Sequence, residues 1–167
     1  MIEVLQGITL LAATITTGLM AGVFGLYAHT IMPGLGRTDD RTFVGAFQAI
    51  DRAIINPWFV PVFIGALVLT AVAAALSVGE ERRDVLPWAV AAFVLYLPGF
   101  IATLRVNVPL NNAIKAAGDP DRIDDLAGVR GRFDEPRWVR WNLFRTLGST
   151  AAFGCLAWAL VEYGRAL

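Results

Sequence analysis

Polar side chains suited to chemistry gather just after a long apolar segment of this sequence. Arg105 is followed by Asn107, Asn111 and Asn112. A guanidinium group and carboxamides can hold an anion and orient a bound molecule. An unpartnered polar group costs several kcal/mol away from water, so groups at the end of a hydrophobic segment must find partners. This stretch therefore predicts a binding or reaction site at the edge of a membrane-embedded region.

The composition indicates that these residues belong to a membrane protein. The chain has 167 residues, of which 56% are hydrophobic, and its mean hydropathy is +0.59. Soluble domains are only about 45–50% apolar. The 14 basic and 14 acidic residues balance each other, which gives no sign of nucleic-acid binding. Cys155 is the only cysteine, so a disulfide within the chain and a cysteine metal cluster are both excluded.

Four apolar segments are long enough to cross a bilayer, since a crossing takes roughly 20 helical residues. They cover about residues 4–32, 54–78, 85–110 and 139–163. The sequence predicts an all-α fold, an integral membrane four-helix bundle that forms one domain over residues 1–167. The charged turn at residues 80–84 is short enough to make the second and third spans antiparallel neighbours.

Short interfacial helices are predicted in the first and third loops. In the first loop, Asp39 or Asp40 is the expected N-cap of a helix with apolar residues at helical spacing. In the third loop, Asp119 and Pro120 form the expected start of a helix that continues to Arg130. Both helices would lie across the same end of the bundle.

Two stripes of small or polar residues extend into the predicted spans. In the last span four residues share one helical face at offsets of 0, 4, 7 and 11: Trp138, Asn142, Arg145 and Ser149. In the first span His29 continues the glycine stripe of Gly18, Gly22 and Gly25. Such a stripe lets a neighbouring helix approach closely, which predicts that His29 points into the bundle.

Antiparallel packing would gather polar side chains from all four spans on one membrane side. They are His29, Gln48, Arg52, Asn56, Arg105, Asn107, Asn111, Asn112, Trp141, Asn142 and Arg145. Such a set predicts either a pocket that opens on this side or a polar network that locks the helices together. Eleven of the 14 Lys and Arg residues also lie on this side, so the positive-inside rule predicts cytoplasmic loops.

Four short motifs have a distinctive order and spacing over nearly the whole chain. They are Met32-Pro33-Gly34-Leu35, the segment 48–57, Val106-Asn107-Val108-Pro109-Leu110-Asn111, and Trp141-Asn142-x-x-Arg145-Thr146. They resemble the motifs of the anthrone oxygenase family of four-helix membrane proteins. The resemblance implies that a small aromatic or quinol-like substrate is oxidised by O2 without a metal or any other cofactor, in a polar pocket at one membrane face.

The same resemblance implies roles for individual residues. An acidic phenol or anthrone would lose a proton to a base, and the resulting anion would itself reduce O2. The implied catalytic residues are His29 as the base, with Arg105 and Arg145 holding the oxyanion. The implied substrate-binding residues are Gln48, Arg52, Asn56, Asn107, Asn111, Trp141 and Asn142. Trp141 would stack on the substrate ring.

A second interpretation is a non-enzymatic membrane protein, either a subunit of a larger assembly or a protein that binds a lipid or quinone. It predicts a loop surface that contacts another protein, whereas an enzyme predicts an enclosed cavity of ligand size. The expected partners are the lipid bilayer and a small aromatic or quinol-like ligand, and a homo-oligomer or membrane-protein partner stays open. The expected location is the bacterial plasma membrane.

Overall fold

The computed structural model describes residues 2–79 and 83–165, and this part of the chain is helical without any strand. The predicted all-α fold is therefore confirmed. The central residues of the predicted turn at 80–84, residues 80–82, lie outside the described residues.

The helices follow one another with short connections. They are α1 (Ile2–Leu26), α2 (Met32–Leu35), α3 (Asp40–Ile54), α4 (Phe59–Leu76), α5 (Leu86–Ala102), α6 (Val108–Ala116), α7 (Leu126–Phe133) and α8 (Glu135–Arg165). Two π-helical turns, Tyr27–Ile31 and Thr103–Asn107, connect α1 to α2 and α5 to α6. Four helical stretches are long and apolar enough to cross a membrane: Ile2–Leu35, Phe59–Leu76, Leu86–Ala116 and Leu126–Arg165. The chain is an integral membrane protein.

The four long helices form a ring in which α1 contacts α4 and α8, and α5 contacts the same two helices. Their inner faces carry many small residues, among them Ala66, Ala92, Ala152 and Ala159, all fully buried. Membrane helices lack a hydrophobic driving force between them, so close backbone approach and dispersion supply the packing energy. The outer faces expose leucine, isoleucine and valine, as a lipid-facing surface requires.

The short helices α3, α6 and α7 cover one end of the ring. Their core consists of aromatic and aliphatic side chains, in which the rings of Phe43, Phe47 and Phe133 contact one another. Helix α3 begins as predicted, because the Asp39 carboxylate accepts hydrogen bonds from the Thr42 backbone N–H at 3.0 Å and from the Thr42 hydroxyl at 2.8 Å. These bonds hold the pKa of Asp39 below its usual value.

The third-loop helix begins later than predicted. Pro120–Arg122 forms a single 3₁₀ turn, and α7 starts only after Asp125, whose carboxylate accepts the Gly128 N–H at 2.8 Å. Asp119 instead caps the 3₁₀ turn by accepting the Asp121 N–H. Two aspartates in one loop can each begin a helix, and the later cap is the one that leads into a full helix here.

Two glycines set the distance between α5 and α8, the helices that carry part of the site described below. A Cβ atom at Gly148 would lie 2.8 Å from the carbonyl oxygen of Leu95, and one at Gly99 would lie 3.1 Å from the Cβ atom of Arg145. Real Cβ atoms hardly ever come so close to a backbone oxygen. The two helices therefore pack backbone against backbone at these positions.

Replacing Gly148 with alanine should separate α5 from α8 and lower the thermal midpoint of unfolding in lipid nanodiscs, since overpacking costs about 1–3 kcal/mol. Gly154 on the same helix provides the control, because it is exposed and a Cβ atom there meets nothing within 4 Å. Gly154→Ala should leave the midpoint unchanged or raise it slightly. Equal midpoints for the two variants would contradict the close approach.

Candidate active site

A cavity of about 100 Å³ lies at the end of the bundle that the short helices cover. It is enclosed by the ends of α1, α5 and α8 and by the helices α3 and α6. Its lining residues are Val23, Phe24, Tyr27, Phe47, Asp51, Ile54, Ile55, Phe59, Thr103, Val108, Asn111, Asn112, Lys115, Trp138 and Arg145. Most of them are apolar or aromatic. The polar groups are few and come from α3, the π-helical turn after α5, α6 and α8. This combination is typical of a ligand pocket.

Arg145 enters the cavity from α8 and is 6% exposed. Its Nε and Nη2 groups donate to the carboxamide oxygen of Asn142 at 3.0 and 2.9 Å, and Nη1 donates to the hydroxyl oxygen of Thr103 at 3.2 Å. Asn142 is itself held because its Nδ2 donates to the carbonyl oxygen of Phe24. The guanidinium group is thus fixed directly by Asn142 and Thr103, and through Asn142 by the backbone of α1.

The charge of Arg145 has no anionic partner within ion-pair distance in the described residues. The guanidinium lies 4.2 Å from the ring centre of Phe24 and 5.3 Å from that of Trp138. A guanidinium group has five N–H donors, and three of them are used by Asn142 and Thr103, so two remain. A buried cation without a carboxylate is costly, which indicates a place where an anion can bind.

A second set of polar groups crosses the cavity from α6 to α8. Lys115 Nζ lies 2.6 Å from Asp51 Oδ2, and Asn111 Nδ2 donates to Asp51 Oδ1 at 2.6 Å. Trp138 Nε1 in turn donates to Asn111 Oδ1 at 2.7 Å. Asn111 thus donates a hydrogen bond to one oxygen of the Asp51 carboxylate, and Lys115 places its charge beside the other oxygen in an ion pair. Trp138 fixes the orientation of Asn111.

Helix α3 is held against α6 by a buried glutamine. Gln48 Nε2 donates to the carbonyl oxygens of Ile114 and Gly118 at 2.8 and 3.0 Å. Ile114 lies in the last turn of α6, where the carbonyls lack a donor within the helix, and Gly118 lies just beyond that helix. The contact satisfies both carbonyls and brings Asp51 opposite Lys115. Arg52 donates to Gln48 Oε1 from the exposed side.

The two π-helical turns decide which side chains face the cavity. Pro33 and Pro109 follow them, and neither proline can donate a hydrogen bond to the carbonyl four residues earlier, which belongs to His29 and Arg105 respectively. The backbone instead closes wider turns, with Met32 N–H bonded to the Tyr27 carbonyl oxygen and Val108 N–H bonded to that of Thr103. One inserted residue rotates the following helix by about 100°.

His29 and Arg105 do not face the cavity. Both occupy the middle of a π-helical turn and both are exposed. His29 Nδ1 is 2.6 Å from the hydroxyl of Thr30, and neither His29 nor Arg105 lines the cavity. The expectation that His29 points into the bundle is wrong, because the buried face of α1 runs through Thr17, Met20 and Phe24 and not through the glycine stripe.

The other predicted site residues divide into lining and supporting positions. Asn111 and Arg145 line the cavity, as does Asn112 at its exposed edge. Asn142 supports Arg145, as described above. Trp141 is half-buried, contacts the ring of Phe144 and does not line the cavity. The ring that faces the cavity on α8 is Trp138, three residues earlier.

Gln48, Arg52, Asn56 and Asn107 lie outside the cavity lining. Asn56 caps α4, since its Oδ1 accepts the backbone N–H groups of Trp58 and Phe59 at 2.9 Å. Asn107 is buried and donates to the carbonyl oxygen of Trp138 at 3.2 Å, while its Oδ1 has no hydrogen-bond partner among the described residues. These side chains hold the backbone segments that carry the cavity.

Asp51, Lys115 and Trp138 belong to the cavity but were not predicted as site residues. Lys115 is the only lysine in the sequence, and Trp138 begins the polar stripe of the last span. The stripe itself is confirmed as buried, since Trp138, Asn142, Arg145 and Ser149 are all at most 6% exposed. Nothing in the sequence shows that Lys115 and Asp51, which are far apart in the chain, form an ion pair.

The arrangement suits proton removal followed by stabilisation of an anion. Asp51 offers a carboxylate to the cavity, and Arg145 offers two free N–H donors. Phe24, Tyr27 and Trp138 supply ring faces against which a flat molecule can pack. Within residues 2–79 and 83–165, no three His, Cys, Asp or Glu side chains come together as a metal site.

Comparison with known proteins agrees with the predicted resemblance. No curated protein and no solved structure matches this chain. A family model described as anthrone oxygenase matches residues 58–155. The matched region includes α4, α5, α6, α7 and most of α8, and with them Thr103, Asn111, Lys115, Trp138 and Arg145 of the cavity. Since the match covers more than half of the chain, this protein belongs to the anthrone oxygenase family.

Proposed function

We propose that this protein is a membrane oxygenase that oxidises a small aromatic or quinol-like molecule with O2 in the cavity beneath α3 and α6, without a resident cofactor. In this reaction Asp51 accepts a proton from the substrate and Arg145 stabilises the resulting anion. Asp51 takes the role of base because it lines the cavity and His29 does not. Trp138 and Phe24 contact the ring.

The observation that carries the proposal is the buried guanidinium group of Arg145. It lines a largely apolar cavity with two unused donors and no carboxylate within ion-pair distance in the described residues. A phenolate or enolate oxygen would receive charge-assisted hydrogen bonds at this position. Such bonds are stronger to the anion than to the neutral substrate, and this difference is what accelerates proton removal.

The substrate anion supplies the electrons in this scheme. A hydroquinone loses one hydroxyl proton to Asp51, and the resulting phenolate passes one electron to O2. The semiquinone that remains passes a second electron to the reduced oxygen and loses its other hydroxyl proton. Both protons end on the reduced oxygen. The products are a quinone and H2O2. An anthrone loses a proton from its ring CH2 group, O2 adds to the carbanion, and the protonated hydroperoxide loses water to leave the anthraquinone carbonyl.

Oxygen uptake by the purified protein in lipid nanodiscs tests the proposal. Hydroquinone should be oxidised with saturation kinetics, with one O2 consumed per molecule of quinone formed, and EDTA should not change the rate. Empty nanodiscs measure the spontaneous oxidation. A rate that never exceeds that of empty nanodiscs would contradict the proposal, and binding of hydroquinone without oxygen uptake would favour a non-enzymatic quinone-binding protein.

A further inference from the structure

The cavity opens between the beginning of α4 and the continuation of α5. The lining residues at its inner end, such as Phe24, Trp138 and Arg145, are almost fully buried. The most exposed lining residues are Ile55, which is 62% exposed just before α4, and Val108 and Asn112 on α6. Since α4 and α5 are neighbours in the bundle, these residues form the mouth of the cavity.

The mouth is continuous with the lipid-facing surface. On α5 and the turn after it, Ile101 and Leu104 are 41% and 51% exposed, and they lead along the helix to Val108 at the mouth. On α4, Val60 and Ile64 are exposed in the same way. In an integral membrane protein such apolar surface is covered by acyl chains, so both sides of the mouth face lipid.

Side chains near the mouth indicate its depth in the membrane. Trp58 is 85% exposed beside the mouth, and indole rings are enriched at the boundary between acyl chains and headgroups. Arg105 is exposed one turn before Val108 and forms no hydrogen bond or ion pair with the described part of the chain. An unpaired guanidinium avoids the hydrocarbon core, so the mouth lies just below the headgroups.

The enclosed space is small relative to the expected substrates. The cavity volume is about 100 Å³, whereas an apolar cavity that holds benzene measures about 150 Å³. A single six-membered ring therefore fits only if one of its edges reaches into the mouth. Any further part of the molecule must leave the protein through the mouth, between Ile55 and Val108, and enter the acyl chains.

We propose that the ligand of this site is a membrane-dissolved phenol or hydroquinone with one ring and an apolar tail. The ring lies in the cavity, with its hydroxyl groups toward Arg145 and Asp51, and the tail passes between Ile55 and Val108 into the bilayer. This assignment of the substrate class rests on the proposed function of the cavity. It predicts that the tail contributes to the binding affinity. Substitutions at the mouth should therefore change the affinity for a tailed ligand and not that for the ring alone.

Anaerobic binding of two probes to the protein in nanodiscs tests the proposal: 2-decylhydroquinone and tail-less hydroquinone, each measured by calorimetric titration with empty nanodiscs subtracted. Ile55→Trp should weaken binding of the decyl probe by about tenfold and that of hydroquinone by less than about twofold. Val108→Trp should act in the same way. Ile64→Trp is the control, because Ile64 is exposed to lipid but does not line the cavity.

The outcomes separate this inference from the proposed function. All substituted positions are exposed, and Ile55→Ala provides a smaller side chain at the mouth that should leave both affinities within about twofold. The inference is overturned if the decyl probe does not bind to the wild type, or if Ile55→Trp weakens both probes equally or neither. Tail-dependent binding without oxygen uptake would support the ligand class and overturn the oxidation chemistry. Oxidation of tail-less hydroquinone without tail-dependent binding would support the oxidation chemistry and overturn the ligand class.

Discussion

Replacing Arg145 with glutamine is expected to lower kcat for oxygen uptake by about 100- to 1,000-fold, the usual cost of removing a donor that stabilises a developing oxyanion. Arg145 is 6% exposed and lines the cavity with two unused N–H donors. Glutamine keeps hydrogen-bonding capacity near Asn142 and Thr103 but removes the charge. The loss should therefore fall on the step in which the substrate becomes an anion.

Arg145→Lys should show an intermediate loss, because it restores the positive charge without the planar fork that bonds Asn142 and Thr103 together. Arg140→Gln is the matched control, since Arg140 is an exposed arginine on the same helix outside the cavity. Circular dichroism in nanodiscs verifies that each variant is folded. Wild-type turnover by folded Arg145→Gln would remove Arg145 from the mechanism and with it the main support for the proposed function.

Asp51→Asn is expected to lower kcat by about 100-fold or more, the range found when a general base is removed. The carboxylate of Asp51 is bound on one oxygen by Lys115 and on the other by Asn111, both at 2.6 Å. Asparagine has nearly the same shape and can keep the contact with Asn111, but it cannot accept a proton from the substrate. Oxygen uptake at saturating hydroquinone measures the effect.

Lys115→Gln distinguishes a catalytic carboxylate from one that serves only the ion pair. If Asp51 and Lys115 only hold α3 against α6, the two substitutions should reduce the thermal midpoint and the rate to a similar degree. If Asp51 accepts the proton, Asp51→Asn should be at least about tenfold slower than Lys115→Gln at equal stability. Equal rates in the two variants would assign Asp51 a structural role, and the base would have to be another group of the cavity.

The helical bundle was predictable from local features of the sequence. A span needs only length and apolarity, and the segments around α1, α4, α5 and α8 have both. The cap helix α3 followed from the spacing of its apolar residues and from Asp39, because an N-cap acts within four residues. The buried stripe from Trp138 to Ser149 followed from helical periodicity, since the helix that carries it is unbroken.

The positions of His29 and Arg105 could not be read from the same periodicity. Each lies inside a π-helical turn, and His29 also follows a glycine stripe that is not the buried face of α1. The additional residue in each turn changes the direction of the side chains that follow it. The prolines that accompany these turns were visible in the sequence as interruptions of the hydrogen bonding. The packing around a proline decides whether the helix kinks, ends or forms a wider turn there.

By itself the sequence determined that this is a membrane bundle of four long helices, with polar groups from several segments at one end. These features could be predicted because hydrophobic length and helical spacing depend on residues that are close together in the chain. Only the tertiary structure decided which of those groups share a cavity. Asp51, Lys115 and Arg145 lie on α3, α6 and α8, and they meet because the rotation at the Thr103–Asn107 turn and the contacts of Gln48 and Gly99 bring three separate backbones together. Contacts between side chains on different helices depend on the angles and distances between those helices, which no short stretch of residues encodes.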